Sequence, residues 1–238
     1  MKRLALVSVL ALSALPTVSY AQLTFNAAVF SDYRYRGISQ TRLKPAVQAG
    51  ADYAAGSFYV GAWASSIKWI KDAGGDANAE IDLYGGYKGD IVKGSLSYDV
   101  GVLTYQYPSN KLATKAETTE IYGALTYGPA TLKYSHSVSN LFGFADSKSS
   151  GYVDLSATFE VAGLTLVPHV GYQKVANSGS YSYADYSLTL SKDFSGLVVS
   201  AAAVGTDTKK VGGGPAYVSP QGKDLGKAAL VVGVKYNF

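Results

Sequence analysis

Residues 229–238, Ala229-Leu230-Val231-Val232-Gly233-Val234-Lys235-Tyr236-Asn237-Phe238, alternate with a period of two. Leu230, Val232, Val234, Tyr236 and Phe238 share one face, while Lys235 and Asn237 lie on the other. Successive side chains of a strand point to opposite sides, so this segment reads as a strand with one apolar row.

The same pattern recurs upstream. Leu23, Phe25, Ala27 and Val29 alternate with Thr24, Asn26 and Ala28. Ile81, Leu83 and Gly85 alternate with Glu80, Asp82, Tyr84 and Gly86. Val92, Leu96, Tyr98, Val100 and Val102 alternate with Lys93, Ser95, Ser97 and Asp99. Val153 to Val161 and Ala184 to Leu190 behave alike, and helical spacing fits none of these windows. Twelve such segments are expected, near 22–33, 45–54, 57–67, 78–88, 91–104, 117–127, 129–139, 151–161, 163–174, 182–192, 196–206 and 226–238. Each is close to the ~9–11 residues of a tilted membrane-crossing strand.

The connections alternate short and long. The short ones are Ala55-Gly56, Gly89-Asp90, Gly128, Ala162-Gly163 and Phe194-Ser195, at or beside turn-forming Gly, Pro or Asp. The long ones are 34–44, 68–77, 105–116, 140–150, 175–181 and 207–225, rich in Gly, Ser, Asn and Lys. Short turns on one side and long loops on the other predict an all-β fold: an antiparallel up-and-down transmembrane barrel of twelve strands, with both chain ends on the short-turn side.

Residues 1–21 are of another kind. Lys2 and Arg3 precede the apolar run Leu4 to Leu15, followed by Pro16 and the small-x-small triplet Ser19-Tyr20-Ala21. This is the pattern of a cleaved secretory signal peptide, leaving residues 22–238 as the barrel. The chain has no cysteine, so the exported protein must rely on packing and backbone pairing. A net charge of +4 is too small to argue for nucleic acid. No segment after Ala21 offers the ~20 apolar residues of a spanning helix.

Alternation alone does not say which face meets the core. Three features place the apolar face outward. The terminal row ending in Tyr236 and Phe238 closely resembles the strand signal read by the outer-membrane insertion machinery. The barrel-assembly machinery and periplasmic chaperones are therefore expected partners. Tyr33, Tyr53, Tyr87, Tyr127, Tyr172, Tyr236 and Phe238 lie near strand ends on the apolar face, as interfacial girdles do. The polar face carries charges in mid-strand: Asp32, Arg34, Asp52, Glu80, Asp82, Lys93, Asp99, Glu120, Lys133, Asp154, Glu160, Asp185 and Lys235.

Residues 31–41, Ser-Asp-Tyr-Arg-Tyr-Arg-Gly-Ile-Ser-Gln-Thr, with Pro45-Ala46-Val47-Gln48, resemble the opening signature of the TorF-type porins, long catalogued as the conserved hypothetical group Gcw_chp. Residues 58–65, 80–87, 98–102 and 119–123 continue the match. The resemblance implies an outer-membrane barrel with a porin role. It implies no settled substrate and no catalytic residue.

In this frame Tyr33 and Tyr35 point outward. Asp32, Arg34 and Arg36 face the lumen at its external mouth, with Glu80, Asp82 and Glu120 inward on other strands. Arg34 and Arg36 are expected to pair with some of these carboxylates, either selecting solutes or holding the barrel's shape. With Asp52, Asp99, Lys133, Asp154 and Asp185 they form the expected lumen charge network. Nine inward acids against five inward cations predict a mild preference for cations.

His169, between strands carrying Asp154, Ser156, Asp185 and Ser187, sketches a Ser-His-Asp set. His136 is expected outward, with Ser135 and Ser137 on the opposite face. Two scattered histidines and no cysteine make a poor metal site, and no cofactor is expected. Gly212-Gly213-Gly214-Pro215 reads as flexible loop. Pro168 marks a bulge or a break in its strand. Arg42, Lys44, Lys68, Lys71, Lys111, Lys115, Lys148, Lys209, Lys210 and Lys223 make the external loops basic, which suits lipopolysaccharide phosphates. The expected function is passive diffusion of small hydrophilic solutes through a narrow pore. The alternatives are a structural or adhesive barrel with a filled lumen, and an outer-membrane lipid-modifying enzyme.

Overall fold

The computed structural model describes residues 22–238. The expected signal peptide lies outside them. Twelve antiparallel strands close a barrel. They are β1 (Gln22–Phe30), β2 (Ala46–Ala55), β3 (Phe58–Ser66), β4 (Ala79–Val92), β5 (Leu96–Gln106), β6 (Thr118–Tyr127) and β7 (Ala130–Ser137). Then follow β8 (Gly151–Ala157, continued by Phe159–Val161), β9 (Leu164–Lys174), β10 (Tyr183–Phe194), β11 (Leu197–Thr206) and β12 (Ala229–Asn237). Every strand pairs with its sequence neighbour, and β12 returns to β1 with Val234 opposite Val29 and Tyr236 opposite Ala27. Phe25 and Phe238 exchange backbone hydrogen bonds of 2.9 and 3.0 Å at the seam. Closure leaves no free sheet edge. Followed partner by partner around the wall, the register climbs by about 16 residues per turn, a strand tilt of about 45°.

Sidedness is inverted relative to a soluble barrel. On β12, Leu230 is 69% exposed while Lys235 is 7% exposed. The outer face carries Leu23, Val29, Val47, Val60, Leu83, Val102, Ile121, Leu132, Leu155, Val170, Leu188 and Val232, all exposed. Tyr53, Tyr127, Tyr172, Tyr236 and Phe238 are exposed near strand ends, and Tyr87 is exposed opposite Phe58 at the start of β3.

Three expectations need correction. The turn between β4 and β5 falls at residues 93–95, not at Gly89-Asp90. Gly89 sits opposite Tyr98, whose ring covers it, so the ladder runs on to a turn that Gly94 closes at φ +74°. Lys93 is therefore a turn residue, not a lumen residue. Tyr33 and Tyr35 do not face outward. The ladder of β1 ends at Phe30, and the chain then bends into the barrel, leaving Tyr33 8% exposed.

Pro168 causes no bulge. β9 runs through it with unbroken register, and the interruption appears in the neighbour, at Thr158. Thr158 donates to the Pro129 carbonyl at 2.9 Å, so the backbone groups of Ala157 face Pro168, which has no N–H to offer.

Lumenal tyrosines pack across the strands onto glycines. A Cβ at Gly171 would overlap the Tyr152 hydroxyl. Gly171→Ala is expected to destabilise the barrel by about 1–3 kcal/mol through this overpacking. Urea unfolding in detergent micelles checks this; an unchanged midpoint would contradict the packing.

Candidate functional site: the lumen and its mouth

Residues 31–45, between β1 and β2, fold into the barrel. Arg34–Tyr35 pairs with Ile38–Ser39 as a two-residue-looped hairpin. Its tip, Arg36-Gly37, has both residues at positive φ, +45° and +80°, as a type I′ turn requires. Gly37 abuts Asp185 on β10 and Thr206 on β11, leaving no room for a side chain. The hairpin tip thus rests on the β10–β11 side of the mouth, two to three strands from β1.

Its own charges anchor it. Arg34 Nε donates to Asp32 Oδ2 at 2.5 Å, and Nη1 donates to the carbonyls of Gly37 and Leu225 at 2.9 Å and of Lys227 at 3.1 Å. Asp32 Oδ1 accepts from Ser39 Oγ at 2.6 Å and Thr41 Oγ1 at 3.0 Å. Arg34 is therefore a latch between this loop and the segment before β12. Its ion partner is Asp32 of the same loop rather than Glu80, Asp82 or Glu120.

Arg36 makes the longer reach. Nη2 donates to Glu120 Oε2 on β6 at 2.7 Å, Nη1 donates to Gln173 on β9, and the guanidinium lies 4.2 Å from the Tyr152 ring centre on β8. One side chain ties three strands. Tyr33 Oη donates to Glu80 Oε1 at 2.6 Å. Burial, and then the Glu80 charge, push the Tyr33 phenol well above its ordinary pKa, so it stays a donor. Tyr35 packs edge-on against Tyr105 and Phe142, and Tyr33 against Trp63. Ile67, Ile70, Tyr107 and Ala116 from neighbouring loops complete a small apolar core at the mouth.

Beside and below the loop the remaining charges form a belt. Asp52 accepts from Tyr84, and Asp99 accepts from Tyr59 at 2.5 Å. The Lys133 ammonium sits 3.9 Å from the Tyr122 ring centre. His169 Nε2 lies 2.9 Å from Asp154 and its Nδ1 3.6 Å from Asp185, which also accepts from Tyr152 Oη at 2.9 Å. Both ring nitrogens therefore face carboxylates. Ser156 and Ser187 pair directly opposite His169 but make no bond to it, so no nucleophile-base couple is assembled. His136 is beside Tyr134 on the outer face, and Ser135 and Ser137 are buried. Among the described residues no group of three His, Cys, Asp or Glu could hold a metal ion.

The lumen residues thus fall into three sets: Asp32–Arg34 inside the loop, Arg36–Glu120 with Glu80 and Asp82 beneath it, and the belt of Asp52, Asp99, Lys133, Asp154 and Asp185. The sequence reading missed Lys88 and the lumenal tyrosines 59, 84, 105, 122 and 152. Strand parity carried that signal, because each sits at an even step from an inward charge or its cross-strand partner.

The family model described as "Bacterial protein of unknown function (Gcw_chp)" matches residues 14–238. The chain belongs to this family. No curated protein matches the Gcw_chp chain. Among solved structures, a porin is 12% identical over 92% of this chain and 100% of its own, with a TM-score of 0.39. OprD from Pseudomonas aeruginosa is 14% identical over 91% of this chain and 65% of its own, with a TM-score of 0.37. OccAB4 from Acinetobacter baumannii is 11% identical over 88% and 56%, with a TM-score of 0.42. These likenesses are too distant to bear on the chemistry of the lumen.

Arg36→Ala strands Glu120, which is 1% exposed, as an unpaired buried charge, at a cost of about 3–5 kcal/mol. The variant should unfold earlier in urea and be cut by protease within residues 31–45. Protection equal to that of the parent would show that Arg36 does not anchor the loop.

Proposed function

We propose that this Gcw_chp protein is an outer-membrane channel of the TorF porin type, passing small hydrophilic solutes by passive diffusion. The observation that carries the reading is the inversion of sidedness: exposed Leu, Val and Phe outside, charged and hydroxyl side chains within. An apolar girdle with aromatic ends suits a bilayer, and a closed ladder leaves no open strand edge there. The short turns then face the periplasm, where a Sec-exported chain is handed by periplasmic chaperones to the barrel-assembly machinery. The external loops, basic in sum, would meet lipopolysaccharide phosphates, although Arg42 is engaged by Asp72, and Lys71 and Lys111 by Asp76.

Barrels of about eight strands are filled by side chains, and those of about sixteen to eighteen hold open water channels. Twelve strands with a hairpin across the mouth favour a narrow pore. The buried tyrosines and that hairpin also support a second reading, a structural barrel with a filled lumen. In planar bilayers the protein is expected to give small discrete conductance steps with a mild cation preference. Arg36→Ala, by freeing the hairpin, should enlarge them about twofold. Silence from both proteins would favour the filled barrel, and silence with phospholipid turnover would favour an enzyme. An anion-selective reversal potential would refute the charge reading.

A further inference from the structure

Asp82 is the one strand carboxylate beneath the hairpin that the fold leaves uncompensated. It points inward on β4, is 9% exposed, and its Oδ1 is buried without a hydrogen-bond partner. Among the described residues no Lys, Arg or His forms an ion pair with it. Its titratable neighbours add no positive charge: Glu80 lies two residues along the same face of β4, and Glu120 is bonded to Tyr105, the cross-strand neighbour of Asp82. Glu120 also keeps one buried oxygen, Oε1, without a partner, its other oxygen being taken by Arg36 and Tyr105. Three carboxylates thus share one ion-paired cation, Arg36. Buried polar atoms are nearly always bonded, and an uncompensated buried charge is costly, so this arrangement calls for a positive partner.

The surroundings state what kind of partner. Trp63 on β3 and Tyr105 on β5 are the cross-strand neighbours of Asp82 on either side, and both rings face inward. A carboxylate between aromatic rings attracts a cation by charge and by the ring quadrupoles. A proton alone would cancel the charge but leave Oδ1 without a partner. A divalent metal lacks ligands, since no suitable group of three exists among the described residues. The group required brings one positive charge and its own hydrogen-bond donors.

The geometry points to a recognition site for the ammonium or guanidinium group of a small organic solute, centred on Asp82 with Trp63 and Tyr105 as walls. This deepens the channel reading: solutes bearing an amine are held just inside the mouth, under the hairpin, and an alkali ion is the competing source of charge. Anions are repelled there, and neutral solutes pass without being retained.

The test uses n-butylammonium as probe, with potassium butyrate and potassium chloride as controls at equal ionic strength. Two readouts are taken on the refolded barrel, wild type and Asp82→Asn. In planar bilayers, butylammonium should block the wild-type current, and Asp82→Asn should raise the half-blocking concentration about tenfold. In detergent, butylammonium should raise the wild-type unfolding midpoint by several degrees and leave that of Asp82→Asn unmoved. The substitution is nearly isosteric and removes an unpaired charge, so the variant should fold. Trp63→Leu, which keeps the carboxylate, should weaken block less than Asp82→Asn does. Block and thermal protection that survive in Asp82→Asn would overturn the site. Protection by potassium chloride equal to that by butylammonium would overturn the organic-amine assignment. A barrel that shows no current but keeps Asp82-dependent protection would end the channel reading and uphold the site.

Discussion

The closure of β12 onto β1 is the constraint on which everything else rests. A strand in hydrocarbon has no water to satisfy its N–H and C=O groups, so an open edge is forbidden. The exchanged bonds between Phe25 and Phe238, and the register that pairs Val29 with Val234, seal the last edge. Once the sheet is a cylinder, alternation has only two outcomes. Leu230, Val232 and Val234 outside oblige Val231, Gly233 and Lys235 to be inside. A charged, tyrosine-lined interior is therefore a consequence of the apolar exterior, not an independent feature.

That interior is then divided by a single loop. Residues 31–45 turn into the space that the twelve strands enclose. The Arg36-Gly37 turn is what makes this possible. It delivers a guanidinium to Glu120, Gln173 and the Tyr152 ring at once, while Asp32 and Arg34 stiffen the base of the hairpin. The charges on the loop serve to build it. The charges left over on the wall, Asp82 above all, are those available to a solute.

Much of this was legible in residue order. Parity assigned Asp52, Glu80, Asp82, Asp99, Glu120, Lys133, Asp154 and Asp185 to one face, and all of them line the interior. The turn at Gly94 was not legible, because Gly89-Asp90 has turn chemistry and only the cross-strand ring of Tyr98 shows why the ladder continues past it. Tyr33 and Tyr35 misled for a related reason. Period two holds only while the ladder lasts, and the pattern of residues 31–35 does not reveal that pairing stops at Phe30. Pairings such as Arg36 with Glu120 depend on a loop crossing the lumen, a distance that no spacing in the sequence encodes. The effect of Pro168 fell on the neighbouring strand, since a missing donor is felt by the acceptor it would have served.

The central claim is the direction in which the two faces of each strand point. The chain contains no cysteine, so single cysteines can be placed at will and spin-labelled. Labels at positions 230, 231, 232, 233 and 234 of the bilayer-reconstituted protein can be read for relaxation by oxygen, which concentrates in lipid, and by a water-soluble nickel chelate. Labels at 230, 232 and 234 should relax with oxygen and those at 231 and 233 with nickel, in strict alternation. Oxygen access at 231 and 233 with nickel access at the even positions, or no alternation at all, would contradict the account.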